Sequence, residues 1–150
     1  MERSQAAFGV PTLSDLYRSR GTDFELSIDV EHATVALPMV DVAESFGAAE
    51  RLWLCAEDPL VLGLLRERTR HARLVCSTGP RRLGGLRTLV SRLAELDVDV
   101  VNLHWADWTA RRLDLVRHSG LLAEPSRGTG IAAGRPGAHR RLLGGEGVVG

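Results

Sequence analysis

Residues 24–32 read FELSIDVEH. Phe24, Leu26, Ile28 and Val30 are apolar, while Glu25, Ser27, Asp29 and Glu31 are polar and mostly acidic. A period of two is that of a β-strand with one buried face. The polar face then meets either water, with acids protecting an edge strand, or the inside of a site that needs carboxylates. Asp29 and Glu31, two apart, would point to the same side. Such a pair at the carboxyl end of a strand suits a hard divalent cation.

The flanking chain alternates helix and strand signals. Thr12 is a plausible N-cap for TLSDLYRSR, which Gly21 ends. Residues 35–47 read as a helix whose apolar positions are Val35, Met39, Val42, Ala43 and Phe46, with Pro38 in its first turn. RLWLCA at 51–56 is an apolar strand, and Asp58-Pro59 opens a helix over 58–72. RLVCST at 73–78 is a strand, 80–96 a helix with leucines three and four apart, and DVDVVNLHW at 97–105 a strand. Thr109 caps a final helix that Gly120 ends. Regular alternation of this kind predicts parallel strands joined by right-handed crossovers. Ligands of such folds bind beyond the carboxyl ends of the strands. That rule points to 29–32, 55–58, 76–78 and 102–107.

Composition narrows the function classes. The chain has 150 residues, 44% of them hydrophobic and 25% charged, with zero formal net charge. It therefore has one domain's worth of residues and no global field to recruit nucleic acid or an anionic membrane. No apolar run approaches a membrane span of about 20 residues, and 1–11 has no signal-peptide core. A cytoplasmic setting is expected. Every basic residue other than histidine is Arg; without Lys there is neither Schiff-base chemistry nor an ammonium for a phosphate. Cys55 and Cys76 form no CxxC pair and read as small buried thiols. Asn102 and His104 share a strand face in NLHWADW. His104 either ligates a metal or shuttles a proton, or is a hydrogen-bonded structural residue beside two tryptophans. The glycines at 84 and 85 match neither nucleotide fingerprint. From Ala123 onward, eight glycines and two prolines fall in 28 positions, the composition of a tail with no packed core.

Residues 10–31, VPTLSDLYRSRGTDFELSIDVE, resemble a segment of the bacterial glycerophosphodiester phosphodiesterases. There a P-T-L helix precedes a strand reading roughly I-E-x-K. RLWLCAED, RLVCST and VDVVNLHWADWTARRLDLVRHSGLL continue the resemblance in order, to about residue 122. It implies a (β/α)₈ TIM-type barrel that hydrolyses a small-molecule glycerophosphodiester of lipid metabolism to glycerol 3-phosphate and an alcohol. The cofactor it implies is a divalent metal, Mg²⁺ or Ca²⁺, with Asp29 at the metal-ligating acid; Asn102 and His104 are the candidate substrate-binding residues. Glu31 stands where the family has Lys, and the family's H-R-G, E-x-D and H-D segments and its W-T-V-N and G-V-D-G-I-x-T-D ending have no counterpart.

The expected fold is thus α/β, a partial (β/α)₈ barrel of about four βα units over 1–122. Residues 123–150 are expected to be a disordered or frame-altered tail. As an isolated chain the protein is expected to be truncated and inactive. The alternatives are a non-catalytic half-barrel that binds a partner or self-associates through open sheet edges, and a different small α/β domain of flavodoxin-like type.

Overall fold

The computed structural model describes residues 11–79 and 84–126. Among them, five α-helices and five strands alternate: α1 (Leu13–Arg20), β1 (Leu26–Asp29), α2 (Ala33–Ser45), β2 (Leu52–Ala56), α3 (Pro59–Arg68), β3 (Arg73–Thr78), α4 (Leu86–Glu95), β4 (Val100–His104), α5 (Ala110–His118) and β5 (Leu122–Ser126). The strands form one sheet in the order β1-β2-β3-β4-β5, every neighbouring pair parallel. That order is the one consecutive βα units produce when each crossover returns the chain beside the strand it left. It is not the order of the flavodoxin-like alternative, in which the strand sequence reverses part-way along the sheet. Among the described residues, β1 and β5 pair on one side only, so their outer edges are the ones self-association would use.

Local chemistry sets the helix ends. In α1, Thr12 Oγ1 accepts from the Asp15 amide (3.1 Å) and Asp15 Oδ2 accepts from the Thr12 amide (3.0 Å), a reciprocal capping box. Asp58 Oδ1 accepts from the Leu60 amide (2.9 Å), with Pro59 opening α3 where its missing N–H is harmless. Thr109 Oγ1 accepts from the Arg112 amide at the start of α5 (3.2 Å). Gly21 and Gly120, at φ 72° and 80°, stop α1 and α5 in a conformation that a β-carbon disfavours.

The helices bury one face of the sheet. Leu26, Leu52, Leu54, Leu74, Cys76, Val101, Leu103 and Ala123 join Val40, Leu62, Leu65, Val90, Leu93 and Val116 of the helices in the main core. The alternate strand positions form a second, smaller cluster of Trp53, Cys55, Val75 and Val100 on the other face. Strands buried on both faces explain why β2 reads as a continuous apolar run.

Several expectations need correction. β1 spans four residues rather than nine, so Glu31 lies beyond the strand and does not share a strand face with Asp29. α2 begins at Ala33, which puts Pro38 in the second turn and leaves the Thr34 carbonyl without its helical donor. Both Thr34 and Pro38 are exposed, so water can replace that bond. The buried stripe of α2 is Ala36, Val40 and Ala43, while Val35 faces solvent. α3 ends at Arg68, four residues short of the expected end. The sheet also runs past the expected boundary at 122, because Leu122–Ser126 pairs with β4 as a fifth strand. Pro125 hides that strand from a sequence reading. The Leu122 amide donates to Asp99 O (2.9 Å), so amides at alternate positions face β4 and the one Pro125 lacks would face the outer edge. The expected helix start at Pro80 and the tail from residue 127 lie outside the described residues.

One side chain ties the amino ends of the strands together. Arg66 donates from Nε to Asp97 O (2.8 Å), from Nη1 to Thr69 O (3.0 Å) and Ala72 O (3.3 Å), and from Nη2 to Asp99 Oδ2 (2.6 Å). Asp99 Oδ2 also accepts from the Leu74 amide (2.8 Å). The pair is largely withdrawn from water, with side-chain exposures of 11% and 27%, whereas Arg68–Asp41 stands at 57% and 51%. Arg66→Met keeps the apolar stem but strands the Asp99 carboxylate and three carbonyls. It should lower unfolding stability in urea at pH 7 by about 2 kcal/mol, and Arg68→Met by less than about 1 kcal/mol. Equal losses would contradict this account of the clasp.

Candidate functional site

Side chains alternate along each strand, so the residues that do not enter the main core line the opposite face. Reading toward the carboxyl ends, they are Ser27 and Asp29 of β1, Trp53 and Cys55 of β2, Val75 and Ser77 of β3, Val100, Asn102 and His104 of β4, and Glu124 and Ser126 of β5. Register places Asp29 opposite Cys55, and Asn102 between Ser77 and Glu124. The lower part of this face is packed and closed. Trp53 is 9% exposed and donates from Nε1 to Glu25 Oε2 (2.7 Å). Ser27 Oγ lies 3.4 Å from Cys55 Sγ.

Polar groups gather toward the carboxyl ends. Asn102 and Glu124 are each 5% exposed, His104 is half-buried and Asp29 is exposed. His104 Nδ1 accepts from the Ala106 amide (3.3 Å) at the start of the turn Trp105–Asp107. With Nδ1 accepting, the N–H of the neutral ring is at Nε2, which leaves that nitrogen as the ring's donor. Trp108 Nε1 donates to Glu124 O (3.1 Å), fastening the loop after β4 to β5.

The structure sorts the sequence candidates. Asn102 and His104 do share one face of one strand, and Asp29 ends β1 on the same side of the sheet. Cys76 and Thr78 sit on the helix-covered side, leaving Ser77 as the β3 residue that faces the site. Glu124 escapes a sequence reading because its segment has the composition of a tail; the one available signal is the short apolar pair Leu121-Leu122 just after a helix-ending glycine. Cys55 is no nucleophile. Burial is the main cause that pushes its thiol up to about 12; the Ser27 hydrogen bond opposes this, and the Asp29 and Glu124 carboxylates add to it. Those two carboxylates thus act on one buried thiol from β1 and β5.

The residues for a divalent metal are incomplete in the described part of the chain. Asp29 offers an exposed carboxylate, but no group of three or more His, Cys, Asp and Glu side chains there is arranged to hold a metal ion. A separate depression of about 180 Å³ lies at the opposite end of the sheet, lined by Glu44, Gly47, Ala49, Glu50 and His71. There Thr69 Oγ1 donates to Glu44 Oε1 (2.7 Å) and His71 Nδ1 lies 3.1 Å from the same oxygen. The Thr69 bond is the main cause that holds the Glu44 carboxyl below its ordinary value. This cluster joins α2 to the start of β3, a structural role.

Comparison with solved structures finds this architecture again. The crystal structure described as "Putative glycerophosphoryl diester phosphodiesterase" from Agrobacterium tumefaciens str. C58 superposes with a TM-score of 0.57 at 12% identity, over 66% of this chain and 43% of that one. The fold is a partial (β/α)₈ barrel. The chain thus spans less than half of that neighbour's length, and at 12% identity the likeness is one of fold. No family model matches the chain, and no curated protein matches it in sequence. In a barrel of this kind the carboxyl ends of the strands carry the chemistry and the amino ends carry stability. Asp29, Asn102, His104 and Glu124 stand at the first end, and the Arg66 clasp at the second.

Thiol reactivity checks the closed part of this face. In the native chain at pH 8, Cys55 should resist an alkylating reagent and react only after unfolding in denaturant. Rapid labelling of Cys55 in the native state would show that the face is open to solvent.

Proposed function

We propose that the chain is part of a phosphoric diester hydrolase of the glycerophosphodiester phosphodiesterase type, metal-dependent when whole. In this reading it supplies one arc of the barrel and one side of the substrate site. The observation that supports it best is the place of Asp29. The sequence resemblance makes this residue the metal-ligating acid, and it stands at the carboxyl end of a parallel barrel strand. Asn102 and His104 face the same site from β4. With its proton on Nε2, His104 donates to an anionic oxygen, and the Asn102 amide can do likewise. Together they orient a phosphoryl group rather than remove a proton. The described residues hold no group of three or more His, Cys, Asp and Glu side chains arranged for a metal ion, so the chain on its own is expected to bind the product anion without turning over the diester.

The test has two arms on the purified chain. Titration with glycerol 3-phosphate, followed by nuclear magnetic resonance, should shift the side-chain signals of Asn102 and His104. Asn102→Ala and His104→Ala should each weaken binding by about threefold to tenfold, as for one hydrogen bond to a charged group. Glycerophosphodiester with Mg²⁺ or Ca²⁺ should yield no glycerol 3-phosphate. Absence of binding would contradict the substrate class, and turnover that disappears in Asp29→Ala would contradict the inactivity of the isolated chain.

A further inference from the structure

His104 keeps Nε2 as its donor only while Nδ1 holds its bond from the Ala106 amide (3.3 Å). That amide belongs to the turn Trp105–Asp107, of which His104 is itself the N-cap. A single short turn has little hydrogen bonding of its own, so its shape depends on what its ends are tied to. Arg112 supplies the tie. Its Nη1 donates to Asp107 O (2.7 Å), the last carbonyl of the turn, and its amide donates to Thr109 Oγ1 (3.2 Å), the cap of α5. One residue thus joins the turn to the start of α5. Further along that helix, Val116 is fully buried in the main core.

Helix chemistry does not explain a cation at this position. The first three residues of α5 are Ala110, Arg111 and Arg112, and its first turn carries no acid. The partial positive charge of a helix N-terminus disfavours an arginine there. Arg111 is exposed, whereas Arg112 is half-buried and spends its guanidinium on the loop. The contact with Asp107 O is therefore the feature that accounts for Arg112.

We infer that Arg112 is a positioning residue for His104. Through Asp107 it holds the turn in the shape that keeps the Ala106 amide on Nδ1, and so it leaves Nε2 as the ring's donor. The guanidinium is engaged at the turn and is not itself a ligand of the anion. As a statement about the His104 ring the inference stands alone; as a statement about anion binding it rests on the diester reading.

The experiment uses the full chain. In nitrogen–proton correlation spectra of the His104 ring at pH 8, Nδ1 should carry no proton and should be displaced by its hydrogen bond. Arg112→Met, which keeps the apolar stem, should move the Nδ1 signal toward its position in the unfolded chain. It should also speed exchange of the Ala106 amide by about two- to tenfold, the equivalent of one neutral hydrogen bond. Arg111→Met removes the same charge from the same turn and should change neither. Unaltered His104 signals in Arg112→Met, or equal changes in the two variants, would overturn the inference. Equal acceleration at the Leu113 amide, which is bonded to Thr109 O (2.9 Å), would show a merely structural role in α5 and overturn it as well.

Glycerol 3-phosphate gives a second arm. Arg112→Met should weaken its binding by about two- to fivefold, and by nothing further in the His104→Ala chain, because the effect passes through the ring. A loss that persists there at full size would come from the charge of the arginine and overturn the inference. If glycerol 3-phosphate fails to bind the wild-type chain, the diester reading falls, and the ring signals still decide the role of Arg112.

Discussion

The clasp of Arg66 on Asp99 is the constraint on which the arrangement of strands depends. A guanidinium at the end of α3 reaches the carbonyls of Thr69, Ala72 and Asp97, and the carboxylate of Asp99. Asp99 in turn accepts from the Leu74 amide through its side chain, donates its own amide to Leu74 O (3.1 Å), and accepts from the Leu122 amide through its carbonyl. One Arg–Asp pair therefore sets the starting points of β3, β4 and β5 relative to α3. In a parallel sheet a slip of one residue would turn every side chain to the wrong face. The clasp fixes the register at the amino ends, while at the carboxyl ends the Trp108–Glu124 bond ties the loop after β4 to β5. There the chain can keep buried Asn102 and Glu124, exposed Asp29 and exposed Trp105.

Much of this was legible in the sequence, and the reasons are local. Thr12, Asp58-Pro59, Thr109, Gly21 and Gly120 act through contacts within four residues, so their reading does not depend on the fold. The apolar runs 52–56 and 74–76 announce strands covered on both sides. What failed depended on neighbours distant in sequence. The alternation in FELSIDVEH continues beyond Asp29, but the bond from the Val30 amide to Cys55 O (2.7 Å) closes the pairing with β2, and Glu31 leaves the strand. Val35 fits an apolar helix face by spacing, yet the face that meets α3 and the sheet is the one carrying Ala36, Val40 and Ala43. β5 holds a proline and an acid in five residues. It is a strand because β4 offers it a paired edge and because the missing amide of Pro125 falls on the outer side. Neither fact is visible without the sheet.

The candidate site was half legible for the same reason. Asn102 and His104 are two apart on one strand, so their shared face follows from periodicity alone. Glu124 meets them only through the β4–β5 register. The direction of the His104 proton depends on a turn geometry that no pattern in NLHWADW specifies. The resulting face has a defined chemical character. Its buried thiol stays protonated at neutral pH, its histidine accepts a turn amide at Nδ1, and an exposed indole stands at its edge. Nucleophilic catalysis by Cys55 is thereby set aside.

The central claim is that a fifth parallel strand completes the arc and brings Glu124 beside Asn102. Amide hydrogen exchange tests it most directly, because the Leu122 amide is bonded to Asp99 O at 2.9 Å and, by alternation, the Glu124 amide also faces β4. Both amides should exchange slowly, close to the rate set by global unfolding, while the Ala123 amide, directed at the outer edge, should exchange much faster. Exchange of Leu122 and Glu124 at the rate of an unstructured peptide would contradict the account.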